Sequence, residues 1–278
     1  MISPRVALLT LFAMLAFAGN SLLCRMALRD TTIDAASFTS LRLASGALVL
    51  ASIMLARRSK PTAAGSWRAA AMLFSYAAFF SFAYRQLTAA TGALLLFGAV
   101  QISMSGYGLA KGEQLRPLQA AGLAVAIGGL VYMLLPGLAA PPLVSAACLL
   151  AAGASWAVYS VLGRGVKDPV AATAGNFVRS VPFALVLSVA AATDFRIDAV
   201  GMAYAVLSGA ITSGLGYVLW YAALPALKTT SAATVQLSVP ALAALGGVVL
   251  LAEPMSPRLL IASATILGGI ALTIWRRK

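Results

Sequence analysis

Apolar positions along this chain form long unbroken runs, and the polar positions collect in the short joins between them. As helices, runs of about 20 apolar residues match the thickness of a bilayer. The pattern predicts ten spans, near residues 6–24, 37–56, 67–84, 90–110, 117–135, 143–162, 170–192, 199–222, 231–252 and 259–275. Chain breakers mark the joins: Arg57-Arg58-Ser59-Lys60-Pro61, Pro136 through Pro142, and Asp168-Pro169. No join has room for a separate soluble domain.

The order of the runs repeats. Glu113 finds Glu253, Pro117 finds Pro257 and Gly128-Gly129 finds Gly268-Gly269, each at an offset of 140; Arg42 finds Arg179 and Tyr84 finds Tyr221 at an offset of 137. Matched helices recurring in order are the mark of an internally duplicated transporter. Five spans per copy is an odd number, so the second copy enters the membrane upside down. The expected fold is an all-α polytopic membrane protein of ten transmembrane helices, arranged as two inverted five-helix repeats over residues 1–136 and 137–278.

Composition supports the membrane assignment: 61% of residues are apolar and 10% charged, far from the soluble balance of roughly half and a quarter. The net charge of +13 suggests a nucleic-acid partner until its distribution is read. With the N-terminus placed in the cytoplasm, thirteen basic residues fall at inside positions, against five outside: Arg25, Arg29, Arg85, Arg196 and Arg258. This is a positive-inside bias; it predicts cytoplasmic termini, a lipid bilayer as partner and no nucleic acid. Arg5, the apolar run after it and Ala16-Phe17-Ala18 also fit a signal peptide. The match of this run with the sixth assigns it to a first transmembrane helix.

Histidine is absent, which removes Ser-His, Cys-His and His-metal chemistry together. The seven carboxylates (Asp30, Asp34, Glu113, Asp168, Asp194, Asp198 and Glu253) all fall in joins or at helix ends, and no Walker loop precedes a helix. Catalysis, a metal and a cofactor are therefore not expected. Proton-coupled carriers commonly hold a titratable group within the membrane. Its absence here points to a uniporter or exchanger running down the gradient of its solute.

Two charges, Arg42 and Arg179, lie within spans. Each reads either as a grip on a carboxylate or phosphate, or as a brace bonding helix-end carbonyls or the carboxylates Asp30 and Asp34. Their placement toward one end of their spans favours the brace. Asn20, Tyr76, Gln101, Trp156, Tyr159, Tyr217 and Gln236 lie deep in their spans and are the candidate substrate-binding set; packing between helices is the competing reading. Tyr84, Trp220 and Tyr221 sit near span ends, where an aromatic belt is expected. Glu113 and Glu253 precede a proline by four residues and read as carboxylates at the start of the following helix. Pro240 has Val100 opposite it in the repeat and should bend span nine toward the cavity. Spans five and ten carry small residues at four-residue spacing, such as Gly122/Ala126 and Ala264/Gly268. They read as peripheral scaffolds or a dimer surface on an otherwise monomeric protein.

Ala18-Gly19-Asn20-Ser21, Arg42, Glu113, Glu253 and the two Gly-Gly pairs together resemble the EamA-type members of the drug/metabolite transporter superfamily, over nearly the whole chain. The chain also resembles the aromatic amino acid exporters of the YddG type. The resemblance implies a bacterial inner-membrane carrier with a central cavity between its repeats, exporting amino acids or related metabolites. Ala18 stands where the family commonly has tryptophan, and Val100 where its first repeat has proline. Other readings of the residues are a multidrug exporter, which usually wants a buried acid, an organic-phosphate carrier, which wants several converging bases, and a receptor or scaffold without transport.

Overall fold

The structure is a computed structural model describing residues 4–110, 112, 116–135, 140–227, 235–236 and 238–274. Among the described residues it is all helix and turn, without strands. The long helices are α1 (Pro4–Asp30), α2 (Ala35–Ala56), α3 (Trp67–Tyr84), α4 (Ala89–Ala110), α5 (Pro117–Leu134), α6 (Leu143–Gly163), α7 (Pro169–Ala190) and α8 (Ala199–Ala226). They are followed by α9 (Ser238–Leu251) and α10 (Pro257–Ile274).

Seven of these, α1, α2 and α4 to α8, are long and apolar enough to cross a membrane, while α9 and α10 are apolar but shorter in those terms. The eighteen residues of α3 include Trp67, Arg68, Ser75, Tyr76, Ser81 and Tyr84, which lower its apolarity. Many large apolar side chains point outward, including Leu48, Leu55, Val186, Val189, Val249 and Leu250. Such a perimeter suits lipid and would be costly in water.

Local chemistry sets the helix starts. Asp34 accepts from the amides of Ala36 and Ser37 to cap α2, Asp168 caps α7 through Val170 and Ala171, and Asp198 caps α8 through Gly201. Ser66 caps α3 and Ser256 caps α10. These caps occupy the orphan amides of each first turn. α1 runs six residues past its expected end because Arg25 and Arg29 have partners waiting there, described below.

α5 and α10 pair closely with each other through their small residues. A Cβ on Gly129 would stand 2.8 Å from Ile266, and one on Gly269 would stand 2.6 Å from the Ala126 amide nitrogen. Gly128 and Gly268 meet nothing within 4 Å, so one glycine of each pair forms the contact and the other faces away.

α8 is the irregular helix. It is α-helical to Leu207, π-helical from Ser208 to Leu215, α-helical again over Gly216–Ala223 and closes in a 3-10 turn, Leu224–Ala226. The wide turn lies where α8 crosses α2: a Cβ on Gly209 would collide with the Arg42 carbonyl oxygen, and one on Gly46 would lie 2.9 Å from the Gly209 carbonyl oxygen. Two glycines thus bring the backbones into contact. Pro240 lies in the first turn of α9 and is buried. Residue 237 before it is outside the described residues, and with it the predicted bend. A proline well inside a described helix is Pro182, in α7.

Candidate functional site

The α2–α8 crossing places Arg42 in the interior, 1% exposed. Its Nε donates to Ser213 Oγ at 2.9 Å and one Nη to the Tyr217 hydroxyl at 2.7 Å. The guanidinium lies 5.2 Å from the Tyr76 ring centre and 5.1 Å from that of Phe80. Its other Nη is buried without a hydrogen-bond partner. Among the described residues the ion pairs are Arg25–Glu253, Arg29–Asp30 and Arg57–Asp168; Arg42 is in none of them. The expected brace onto Asp30 or Asp34 is corrected here: Asp30 pairs with Arg29, and Asp34 caps α2.

Asn20 joins this cluster from α1. Its amide donates to the Tyr76 hydroxyl at 3.3 Å, and its carbonyl oxygen accepts from Ser208 at 2.7 Å and from Thr212 and Ser213 at 3.4 Å. These hydroxyls sit on the π-helical stretch, which therefore offers α1 and α2 a polar face. Wide turns of this kind recur at functional sites.

On the other side of Tyr76 lies a wall of rings. Trp156 stands 5.0 Å from Tyr76, 4.7 Å from Tyr217, 5.5 Å from Tyr159 and 5.2 Å from Phe17, centre to centre. Its indole N–H donates to Gln236 Oε1 at 3.1 Å. The structure therefore gathers Asn20, Tyr76, Trp156, Tyr159, Tyr217 and Gln236 into one connected cluster. Gln101 stands apart, bonded along its own helix to Ser105 at 3.2 Å. The cluster is closed: its rings touch and exclude solvent. A groove of about 810 Å³ beside α3 and α6, lined by Phe74, Phe79, Phe82 and Leu143 among others, holds none of these residues and opens on the perimeter.

The end-of-span aromatics also move inward. Tyr84, Trp220 and Tyr221 are at most 1% exposed; Tyr221 stacks on Tyr159 at 5.1 Å and donates to its carbonyl oxygen at 3.0 Å. They belong to the core and not to an interfacial belt. Tyr84 packs over Gly92 and Tyr221 over Gly163, where an added Cβ would strike each ring.

Arg179, the sequence mate of Arg42, does something different. It donates to the carbonyl oxygens of Ala64 at 2.7 Å, Gly175 at 3.0 Å and Thr62 at 3.2 Å. With Asn176, which accepts from the Ser66 amide at 2.9 Å, it ties the α2–α3 join to α7. Here the brace reading describes the contacts.

Glu253 caps a helix remote in sequence, where the following one was expected. Its carboxylate accepts from Arg25 Nε at 2.9 Å and from the Ala89 amide, at the start of α4, at 2.8 Å. Arg25 also donates to the carbonyl oxygens of Tyr84 and Arg85, and Arg29 to that of Leu251. Ala252, at φ 49°, turns the chain so that Glu253 can reach back. One carboxylate thereby fastens α1, the α3–α4 corner and the α9–α10 corner. Glu113 lies outside the described residues. Among the described residues no group of three or more metal-ligating side chains occurs.

Comparison with known proteins fits this architecture. The model of the EamA-like transporter family matches residues 143–275. An uncharacterized protein of Pseudomonas aeruginosa is 57% identical over 271 residues, covering 97% of this chain and 94% of that protein. The second half of the chain, residues 143–275, belongs to the EamA-like transporter family. An uncharacterized transporter of Archaeoglobus fulgidus is 26% identical over 98% of both chains. The threonine/homoserine exporter RhtA of Escherichia coli is 30% identical over 172 residues, 59% of this transporter and 57% of RhtA. A crystal structure of another protein superposes with a TM-score of 0.68 at 20% identity, covering 98% of both chains, which establishes the shared fold. This transporter is accordingly a multi-pass membrane protein carrying a small-molecule substrate.

Proposed function

We propose that this transporter exports neutral amino acids with aromatic or bulky apolar side chains, or closely related metabolites, from the bacterial cytoplasm across the inner membrane. It does so by alternating access between two inverted five-helix repeats, residues 1–136 and 137–278, with both termini in the cytoplasm. The observation that carries this reading is the meeting of Tyr76 from the first repeat with Trp156 and Tyr217 from the second, with centres 5.0 and 6.4 Å apart. Ring faces suit an apolar side chain, and the hydroxyl, amide and indole groups at their edges suit the polar end of a small solute. A site between two repeats becomes accessible from either side when one repeat rocks against the other. The resemblance to RhtA over part of the chain supports an amino acid as cargo.

The closed cluster is an occluded arrangement that must part to admit a solute. Glu253 and its partners close one end of the bundle, and Arg179 with the α2–α3 join closes the other. A multidrug exporter of organic cations is the second transport reading. Asn20, Arg42, Trp156 and Gln236 give it no anion to grip, and Arg42 repels a cation. The direct test is flux in liposomes containing purified protein. Counterflow of phenylalanine and leucine, with threonine and homoserine slower, is the expected result; counterflow of a cationic dye alone would replace the amino-acid reading with the multidrug one. Downhill flux with little response to an imposed pH gradient is expected of a uniporter or exchanger.

A further inference from the structure

We propose that Arg42 is the anion-binding centre of this transporter, taking the carboxylate of the carried solute on its unpartnered Nη nitrogen and so selecting solutes that bear one. The guanidinium is always charged, and burial in the membrane interior costs several kcal/mol unless a partner answers it. What answers it here is neutral: Ser213 Oγ, the Tyr217 hydroxyl and the faces of Tyr76 and Phe80. These satisfy Nε, one Nη and the two faces; the last Nη is buried without a hydrogen bond of normal geometry, with the Tyr76 hydroxyl close to the guanidinium. Two half-buried arginines, Arg25 and Arg179, are bonded elsewhere. Arg25 is held by Glu253 and two carbonyl oxygens, and Arg179 by three carbonyl oxygens. Among these three, Arg42 is the one with a buried donor nitrogen that has no hydrogen-bond partner, and it holds it beside the ring cluster.

Charge selects the ligand class. One guanidinium balances one carboxylate, whereas a phosphate dianion would leave an unpaired negative charge in the membrane interior. A carboxylate is also a stronger acceptor than a hydroxyl, and it binds a guanidinium through two parallel bonds. Its arrival displaces Ser213 or Tyr217 from the guanidinium, loosening α8 from α2 at their crossing. The carboxylate at Arg42 places the rest of the solute against Tyr76, Tyr217 and Trp156, which is the wall invoked above; the amino-acid reading supplies that rest, and the guanidinium supplies only the carboxylate end.

Three probes of one shape test this by thermal-shift titration of the full-length protein: phenylalanine, phenylalaninamide and 3-phenylpropanoate. Both carboxylates should stabilise the wild type and the amide should not. Arg42→Gln should weaken carboxylate binding about 30-fold or more, with Arg42→Lys intermediate because it keeps the charge and loses the paired geometry. Where Arg42→Gln does not fold, Arg42→Lys and the wild-type comparison of acid with amide decide the matter. Equal binding of phenylalanine and its amide, or wild-type affinity in the folded Arg42 variant, overturns the anion centre and leaves amino-acid export standing. Binding of 3-phenylpropanoate without phenylalanine keeps the anion centre and overturns the amino-acid reading. No shift with any of the three overturns both.

Discussion

Arg42 and Arg179 stand at matching places in the two sequence repeats, yet only one is used up. The spacing shows two arginines inside spans; it carries no information on which will meet backbone carbonyls. The α2–α3 join carries Arg179's partners, Thr62 and Ala64, whereas Arg42 faces the hydroxyls of Ser213 and Tyr217. The aromatic and amide residues were legible as a set because polar groups deep in a span must turn inward. Gln101 lies outside the cluster because an i, i+4 partner, Ser105, satisfies it locally. Arg179→Ala should lower thermal stability by about 1–3 kcal/mol, the range for losing charge-assisted bonds, and leave solute affinity unchanged. Thermal unfolding in detergent with and without phenylalanine separates the two effects. Asp34 supports a pH prediction. Burial pushes its carboxyl up, but the amides of Arg196, Ser37 and Ala36 and the Ser37 hydroxyl outweigh this and hold it below the usual carboxylate range. A lowered folded value means that Asp34 adds stability fully above about pH 4, and that this is lost as pH falls through the folded value. Asp34→Asn should therefore flatten the acid limb of a melting-temperature profile below about pH 4, relative to the wild type.

Among the described residues each predicted apolar run coincides with a helix, because a continuous apolar run leaves the chain in lipid no other way to satisfy its backbone. The internal departures were harder to read. Nothing in Ser208-Gly209-Ala210-Ile211 announces a π-helical turn; the wide turn accompanies the contact between Gly209 and the Arg42 carbonyl, a tertiary event. Gly209→Ala should push α8 off α2 and break the Arg42 bonds to Ser213 and Tyr217 together. The expected readout is a loss of about 1–3 kcal/mol of stability, as for overpacking, with solute affinity falling in the same variant. Unchanged affinity would mean that the crossing can shift without disturbing the site. The Glu253 junction is equally tertiary, since its partners lie 228 and 164 positions away. Glu253→Gln keeps an acceptor for the Ala89 amide and removes the charge that holds Arg25. Leu87, 2% exposed beside this junction, is the reporter: a cysteine placed there should react with a membrane-impermeant maleimide several-fold faster in Glu253→Gln than in the wild-type background. Equal reactivity would show that the junction does not govern access at that end.

Over the whole molecule, the inverted repeat rests on an odd number of crossings between equivalent joins. The α2–α3 join holds Arg57, Arg58 and Lys60, whereas the α7–α8 join holds Arg196 with Asp194 and Asp198. Between them lie α3, α4, α5, α6 and α7. If all five cross, the two joins face opposite compartments, the first in the cytoplasm and the second outside. The sensitive member is α3, whose arginine, tryptophan, tyrosines and serines keep it outside the seven most apolar spans. Its Tyr76 is nevertheless buried against Arg42, Trp156 and Tyr217, so its polar side chains are answered by protein, which lets a less apolar helix cross. Ser59 and Thr193 are both exposed. In a background with Cys24 and Cys148 replaced, a cysteine at Ser59 should be modified by an impermeant reagent only after the inner face is opened. One at Thr193 should be modified in intact cells. Modification of both from one side would mean that an even number of these helices cross; α3 would then be the first to be withdrawn from the membrane, and the second half would no longer be the first half inverted.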